Sequence, residues 1–147
     1  MEASGLLKSL NDHDVRYVVI GATAFPVHGY ARTTLDVDIF IDPEPGNVRR
    51  TMAALTEFGY DLQDLTIEDL SSQKVLIRQY ILETDVHPFV KGVSFDEVWA
   101  HRVEAEINGV TAHFADLDDL IKMKEAAGRP KDIADLQVLN ELKRNKR

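Results

Sequence analysis

The fold is decided by residues 16–41, which read RYVVIGATAFPVHGYARTTLDVDIFI. Arg16 to Gly21 form a continuous apolar run rich in β-branched residues, which indicates a buried central strand. Leu35 to Ile41 alternate in polarity and predict a second strand. Residues 22–30 predict a short helix, in which Pro26 is tolerated only in the first turn. We therefore expect a strand–helix–strand unit.

The second strand carries two aspartates on one face. Asp36 and Asp38 are two residues apart, and side chains alternate along a strand, so both project from the face opposite to Val37 and Ile39. Aspartate is a poor strand former, and two adjacent carboxylates raise the pKa of at least one of them unless cations neutralise them. Such oxygen ligands suit Mg²⁺ or Mn²⁺, and a pair of these ions serves phosphoryl transfer. The alternative is a surface strand whose acidic face contacts water.

The rest of the chain interleaves helices and strands. Helices are expected around residues 6–10 and at 47–58, 94–101, 116–128 and 131–143, and strands at 74–80, 81–90, 103–107 and 110–114. Asn108-Gly109 predicts a type I′ hairpin, which requires antiparallel pairing. We therefore expect an α+β fold, with a mixed sheet flanked by helices and a helical C-terminal segment.

Length and composition limit the class of protein. The 147 residues predict one domain, with a core of about 1–114 and a helical segment of about 115–147. The absence of cysteine excludes disulfides, and the five histidines lack the spacing of a zinc site. No apolar run is long enough for a membrane span and the start lacks the features of a signal peptide, so we expect a cytoplasmic protein.

Charge is distributed unevenly along the chain. The formal net charge is −8, which argues against a protein that coats nucleic acid non-specifically. Residues 122–147 hold eight Lys and Arg against four Asp and Glu, a net +4, whereas residues 1–121 carry 9 − 21 = −12. An acidic acceptor would therefore find its complementary charge near the C-terminal end.

Residues 18–41 resemble the signature of the DNA polymerase β-type nucleotidyltransferase superfamily. That signature is an apolar strand, a Gly followed by Gly or Ser, a helix, and a strand with Asp-x-Asp. More narrowly, Arg32-x-Thr34-x-Asp36-x-Asp38 is similar to the small stand-alone bacterial nucleotidyltransferases, some of which occur in toxin–antitoxin systems. Residues 120–136, LIKMKEAAGRPKDIADL, are similar to the C-terminal helical segment of that group.

The resemblance implies a set of three catalytic, metal-binding carboxylates. Asp36 and Asp38 are two of them, and Asp85 is the candidate for the third, on a neighbouring strand where it shares a face with Glu83 and His87. Together they would hold two Mg²⁺ or Mn²⁺ ions, and Asp85 would receive the proton of the acceptor hydroxyl. The alternative for Asp85 is a strand-edge or turn residue beside Pro88.

The candidate nucleotide-binding residues are Gly21, Ala22, Thr23, Arg32 and Lys124; the resemblance points to the first three, and position in the sequence to Arg32 and Lys124. The chain departs from the family pattern at Ala22, which supplies no hydroxyl, although Thr23 offers one. Arg32 would clamp a phosphate or the acceptor, or else form a surface ion pair, and Lys124 would contact the triphosphate. Asp132 and Asp135 suit the first turn of the last helix, where the dipole favours acidic residues.

The function implied is transfer of a nucleoside monophosphate from an NTP, such as ATP, to a hydroxyl of RNA (tRNA included), a protein or a small molecule. The alternative is an inactive or weakly active binding module of the same fold in a toxin–antitoxin or regulatory complex, with a cognate partner protein. That alternative predicts an exposed apolar patch.

Overall fold

The computed structural model describes residues 2–32 and 34–146. Its centre is a six-stranded mixed sheet in the order β3-β4-β2-β1-β6-β5. The strands are β1 Tyr17–Ile20, β2 Asp36–Ile41, β3 Val75–Ile77, β4 Glu83–His87, β5 Val103–Ile107 and β6 Val110–Phe114. β2 runs parallel to β4 and antiparallel to β1, which in turn pairs in parallel with β6. This confirms the expected α+β fold with a mixed sheet.

Six α-helices flank this sheet within the described residues: α1 Ala3–Asp12, α2 Pro45–Phe58, α3 Ile67–Ser72, α4 Phe95–His101, α5 Leu117–Ala127 and α6 Ile133–Asn145. Side-chain hydrogen bonds cap the N-termini of several of these helices. Ser94 caps α4 in a capping box with Glu97, and Asp116 accepts a hydrogen bond from the backbone N–H of Asp119 to start α5. In the part of the chain that the structure describes, no helix combines the length and the apolar character needed to cross a membrane.

The core lies on both sides of β1. All four residues of β1 are buried, and β2 buries Val37, Ile39 and Ile41 as its alternation predicts. Asn108 and Gly109 both have positive φ, as the type I′ hairpin between β5 and β6 requires. Leu139 of α6 is fully buried in the same hydrophobic cluster as β1, so the C-terminal helix packs on the sheet domain.

Some predicted elements need correction. The helix predicted at 22–30 is a 3₁₀ helix, Gly21–His28, with Pro26 beyond its first turn. In an α-helix the ring of Pro26 would clash with the carbonyl of Ala22, four residues earlier. The strands predicted at 74–80 and 81–90 are shorter, because the chain turns between β3 and β4. α3 was not predicted, although Thr66 and Asp69 form a capping box at its start.

The C-terminal segment also differs from its prediction. Its last helix starts at Ile133 rather than near Lys131, after a 3₁₀ turn over Pro130–Asp132. Pro130 occupies the first position of that turn, where its missing N–H costs nothing. Asp132 therefore lies immediately before α6.

Candidate active site

Two of the predicted carboxylates meet across neighbouring strands. Asp38 of β2 and Asp85 of β4 are register partners in the parallel pair, so their side chains lie on the same face of the sheet. Asp38, Asp85 and His87 each offer one ligand atom within 4.8 Å of the other two. His87 Nε2 lies 2.8 Å from Asp38 Oδ1. Asp85 is buried, whereas Asp38 and His87 are half-buried at the mouth of a cavity.

Asp36 lies outside this trio. It is exposed, and its register partner is Glu83 rather than Asp85. Burial and a side-chain hydrogen bond with Asp36 raise the pKa of Glu83, since both penalise its charged form. The structure therefore brings together Asp38 and Asp85 and places Asp36 beside a further carboxylate at the edge of the site.

An arginine already neutralises Asp85. Arg78 donates a hydrogen bond from Nη1 to Asp85 Oδ1, and its Nε lies 3.0 Å from Glu83 Oε2. The hydrogen bond to Asp85 raises the pKa of the Arg78 guanidinium. Arg78 follows β3 and is half-exposed, so it occupies one carboxylate oxygen from the solvent side.

Gly21 leaves room beside Asp38. It has a φ of +68°, and a Cβ added there would lie 2.8 Å from Asp38 Oδ2. A larger residue would therefore press directly on the carboxylate. The two carboxylates and the space beside Asp38 offer oxygen ligands that fit a divalent cation such as Mg²⁺ or Mn²⁺.

A cavity of about 480 Å³ opens over these residues. Gly21, Ala22, Asp38, Asp85 and His87 line its sheet side, and side chains from α5, α6 and the turn between them line the other. Six cationic side chains line it as well: Arg32, Lys74, Lys91, Lys124, Arg129 and Lys131. A volume of this size with many positive groups suits an anionic small molecule.

Two buried aspartates form ion pairs with some of these cationic side chains. Lys124 Nζ lies 3.1 Å from Asp132 Oδ1 and 3.3 Å from Asp135 Oδ2. Arg129 Nε donates to Asp132 Oδ2 at 2.8 Å, and Arg32 Nη1 donates to Asp135 Oδ1 at 2.7 Å. Arg129 and Lys124 hold the pKa of Asp132 far below its usual value. The two aspartates thus fix three cations at the cavity.

The predicted nucleotide-binding residues are mostly found at this cavity. Gly21, Ala22, Arg32 and Lys124 line it. Thr23 is not among the described lining residues; its hydroxyl donates to the backbone oxygen of Asp36 at 2.7 Å, at the start of β2. Arg32 also makes the ion pair considered as its alternative, although with the buried Asp135 of α6.

The sequence reasoning missed several cavity residues. His87 was placed on the face of Asp85, and its alternation with Asp85 was the available signal, but its contact with Asp38 was not expected. Lys74 and Lys91 carried no signal, because nothing in the local sequence shows which exposed lysine faces a cavity. Asp132 and Asp135 lie at the start of the last helix as expected, and they also pair with the cavity cations, which the sequence did not indicate.

Comparison with known proteins identifies the family of the chain. The model of a family described as "Nucleotidyltransferase of unknown function (DUF6036)" matches residues 2–144, nearly the whole chain. No curated protein matches the sequence. The match confirms the resemblance at the level of the superfamily. The chain belongs to this DUF6036 family of nucleotidyltransferases of unknown function.

Proposed function

We propose that this protein is a Mg²⁺- or Mn²⁺-dependent nucleotidyltransferase that moves a nucleoside monophosphate from an NTP to an acceptor hydroxyl. The observation that carries the proposal is the register of Asp38 and Asp85, whose carboxylates lie with His87 at a cavity lined by cationic side chains. The family match supports the same class of reaction.

Asp38 and Asp85 are the residues proposed to hold the metal, with Asp36 as the third carboxylate. Bound ions would neutralise the triphosphate and lower the pKa of the acceptor hydroxyl. Arg78 and His87 each contact one carboxylate oxygen. Both groups therefore keep the acidic side chains in place, and the second oxygen of each carboxylate is left for a cation.

The chain's own residues bind and orient the nucleotide. The Gly21 backbone approaches the phosphates closely because no side chain intervenes, and Ala22 and Thr23 follow it at the start of a 3₁₀ helix. Arg32 and Lys124 contact the triphosphate from the opposite wall, held there by Asp135 and Asp132.

The proposed reaction is an in-line displacement at the α-phosphorus. The acceptor oxygen forms a bond to this phosphorus while the bond to the bridging oxygen of the β-phosphate breaks, which releases pyrophosphate. Asp85 accepts the proton of the acceptor hydroxyl. The acceptor is an RNA such as tRNA, a protein or a small molecule.

The test has two stages, because the acceptor is not known. First, binding of each NTP is measured by calorimetry with and without Mg²⁺ or Mn²⁺, for the native sequence and for Asp38→Asn/Asp85→Asn. Second, each α-labelled NTP is incubated with total cellular RNA, with total protein and with small-molecule extract. We expect metal-dependent binding and label transfer, both lost in the double variant.

Asp64→Asn is the matched control, since Asp64 is exposed and lies outside the cavity lining among the described residues. It should retain both binding and transfer. Label transfer that persists in Asp38→Asn/Asp85→Asn would exclude the proposed mechanism.

A second candidate is a binding module of the same fold that pairs with a toxin or antitoxin partner. The observation in its favour is a set of exposed apolar side chains close to the acidic strands. Leu76 is the register partner of Asp85 and is 52% exposed, and Ile81 is 80% exposed. Absence of metal-dependent NTP binding, together with no transfer to any acceptor, would favour this candidate.

A further inference from the structure

A second cluster of ligand-type side chains lies away from the cavity. His101 ends α4, while Asp116 and Asp119 begin α5. Each of the three offers one ligand atom within 4.8 Å of the other two, and His101 Nδ1 lies 3.0 Å from Asp119 Oδ2. None of them is among the described residues that line the cavity, so this cluster is separate from the proposed active site.

One carboxylate oxygen of Asp119, a member of this cluster, lacks a hydrogen bond within the described part of the chain. The residue is fully buried, and its Oδ1 has no hydrogen-bond partner among the described residues. A buried carboxylate oxygen without a partner is costly, because it has lost its hydration and gained nothing in exchange. In native structures such atoms are satisfied by a hydrogen-bond donor, a water molecule or a metal ion.

We propose that His101, Asp116 and Asp119 bind one divalent transition-metal ion of the Zn²⁺ class. Zn²⁺ accepts imidazole nitrogen and carboxylate oxygen as ligands in one site, whereas Mg²⁺ prefers oxygen ligands alone. The ion supplies the partner that Asp119 Oδ1 lacks. It would join the C-terminal end of α4 to the start of α5, the helix that carries Lys124 to the cavity.

The nearby lysine provides a way to test this assignment. Lys122 Nζ lies 3.9 Å from Asp119 Oδ1 and 3.9 Å from Glu97 Oε2, which is too far for a hydrogen bond to either. Its side chain is 51% exposed, so it is free to turn toward Glu97 and solvent. A positive charge there competes with a metal ion, and its removal should strengthen metal binding.

The experiment titrates Zn²⁺ into the full chain carrying Asp38→Asn/Asp85→Asn, which removes the carboxylates of the active site. Calorimetry should give one bound ion, and Co²⁺ at the same site should give visible absorption bands. Adding His101→Ala or Asp119→Asn should weaken binding by at least about tenfold. Lys122→Gln should strengthen it several-fold. His13→Ala is the matched control, because His13 contacts the single carboxylate of Glu57.

A second readout measures the thermal stability of the same Asp38→Asn/Asp85→Asn chain. Zn²⁺ should raise its Tm by a few degrees, since an ion that binds only the folded state stabilises it. His101→Ala should abolish most of that rise, and the half-exposed position of His101 makes loss of folding a minor concern. The proposal would be overturned if His101→Ala and Asp119→Asn changed neither the Zn²⁺ affinity nor the rise in Tm that Zn²⁺ causes. The outcome does not depend on whether nucleotidyl transfer is found.

Discussion

Gly21 has the most restrictive environment among the residues of the proposed active site. Its φ of +68° belongs to the left-handed region, which disfavours residues with a Cβ. In addition, the carboxylate of Asp38 occupies the space in which a side chain would lie. Backbone conformation and the close approach to Asp38 thus both require glycine.

We predict that Gly21→Ala lowers the free energy of unfolding by about 1–2 kcal/mol and weakens metal-dependent NTP binding by tenfold or more. The first effect comes from left-handed strain and the second from displacement of the Asp38 carboxylate. Urea unfolding and calorimetry measure the two effects separately.

Gly109→Ala is the matched control for this prediction. Gly109 has a φ of +83° with no atom within 4 Å of an added Cβ. It should show a comparable loss of stability with unchanged NTP binding. Equal binding by Gly21→Ala and the native sequence would contradict the role assigned to this position.

The face on which each carboxylate lies could be predicted from alternation alone. Asp36, Asp38, Asp85 and His87 follow the period of two residues that strands impose. The sequence alone could not predict which of these side chains meet. That depends on the register between β2 and β4, which the local sequence does not determine. For this reason Asp38 faces Asp85 while Asp36 faces Glu83.

At the scale of elements, the connection from α5 to α6 depends on one buried carboxylate. Asp132 is 1% exposed and holds Lys124 of α5 and Arg129 of the turn. Its interactions join both helices beside the cavity. Loss of its negative charge would leave Arg129 without this buried partner and Lys124 with Asp135 alone.

We predict that Asp132→Asn lowers the free energy of unfolding by about 3 kcal/mol, because one partner of a buried ion-pair cluster is lost. Asp118→Asn is the control; Asp118 pairs with Lys143 at 3.0 Å, but its side chain is 58% exposed. It should cost less than about 1 kcal/mol, since solvent screens exposed pairs. Similar losses in the two variants, measured in urea, would contradict the buried role of Asp132.

The native sequence and Asp132→Asn should also differ in the pH dependence of their stability. Arg129 and Lys124 lower the pKa of Asp132 in the folded state, so the unfolded state binds the proton more tightly. Its contribution to stability is therefore complete above the unfolded value of about 3.9 and declines as the pH falls toward the folded value. Between about pH 4 and pH 2, the native sequence should lose more stability than Asp132→Asn.

Most element boundaries followed from local chemistry. The capping box at Ser94, the Asp116 cap and the Asn108-Gly109 turn each occur where the sequence predicts them. The failures are found where local patterns were weak or overlooked. A turn after β3 interrupts a run that looks extended, and Arg78 in this turn pairs with Asp85 and Glu83 of β4.

At the scale of the whole molecule, the C-terminal helix and the sheet share one core. Leu139 of α6 is fully buried in the hydrophobic cluster that includes Val19 of β1. The prediction of a single domain over residues 1–147 therefore has a direct test in cooperativity.

We predict that Leu139→Ala lowers the free energy of unfolding by about 3 kcal/mol and keeps one unfolding transition. The single tryptophan, Trp99, reports on α4, and circular dichroism reports on all helices. Both signals should shift together in urea. Ile133→Ala, at a position 57% exposed in the same helix, should change stability little. Separate transitions for the two signals would show that the C-terminal helices unfold independently.

By itself, the sequence determined the α+β class, the strand that carries Asp36 and Asp38, most helix starts and the superfamily. These depend on periodicity, caps and turns, which act over a few neighbouring residues. Only the tertiary structure decided that Asp38 meets Asp85 and His87, that Asp132 and Asp135 hold the cavity cations, and that His101 approaches Asp119. Those contacts join residues distant along the chain, and register and helix packing, rather than local preference, bring them together.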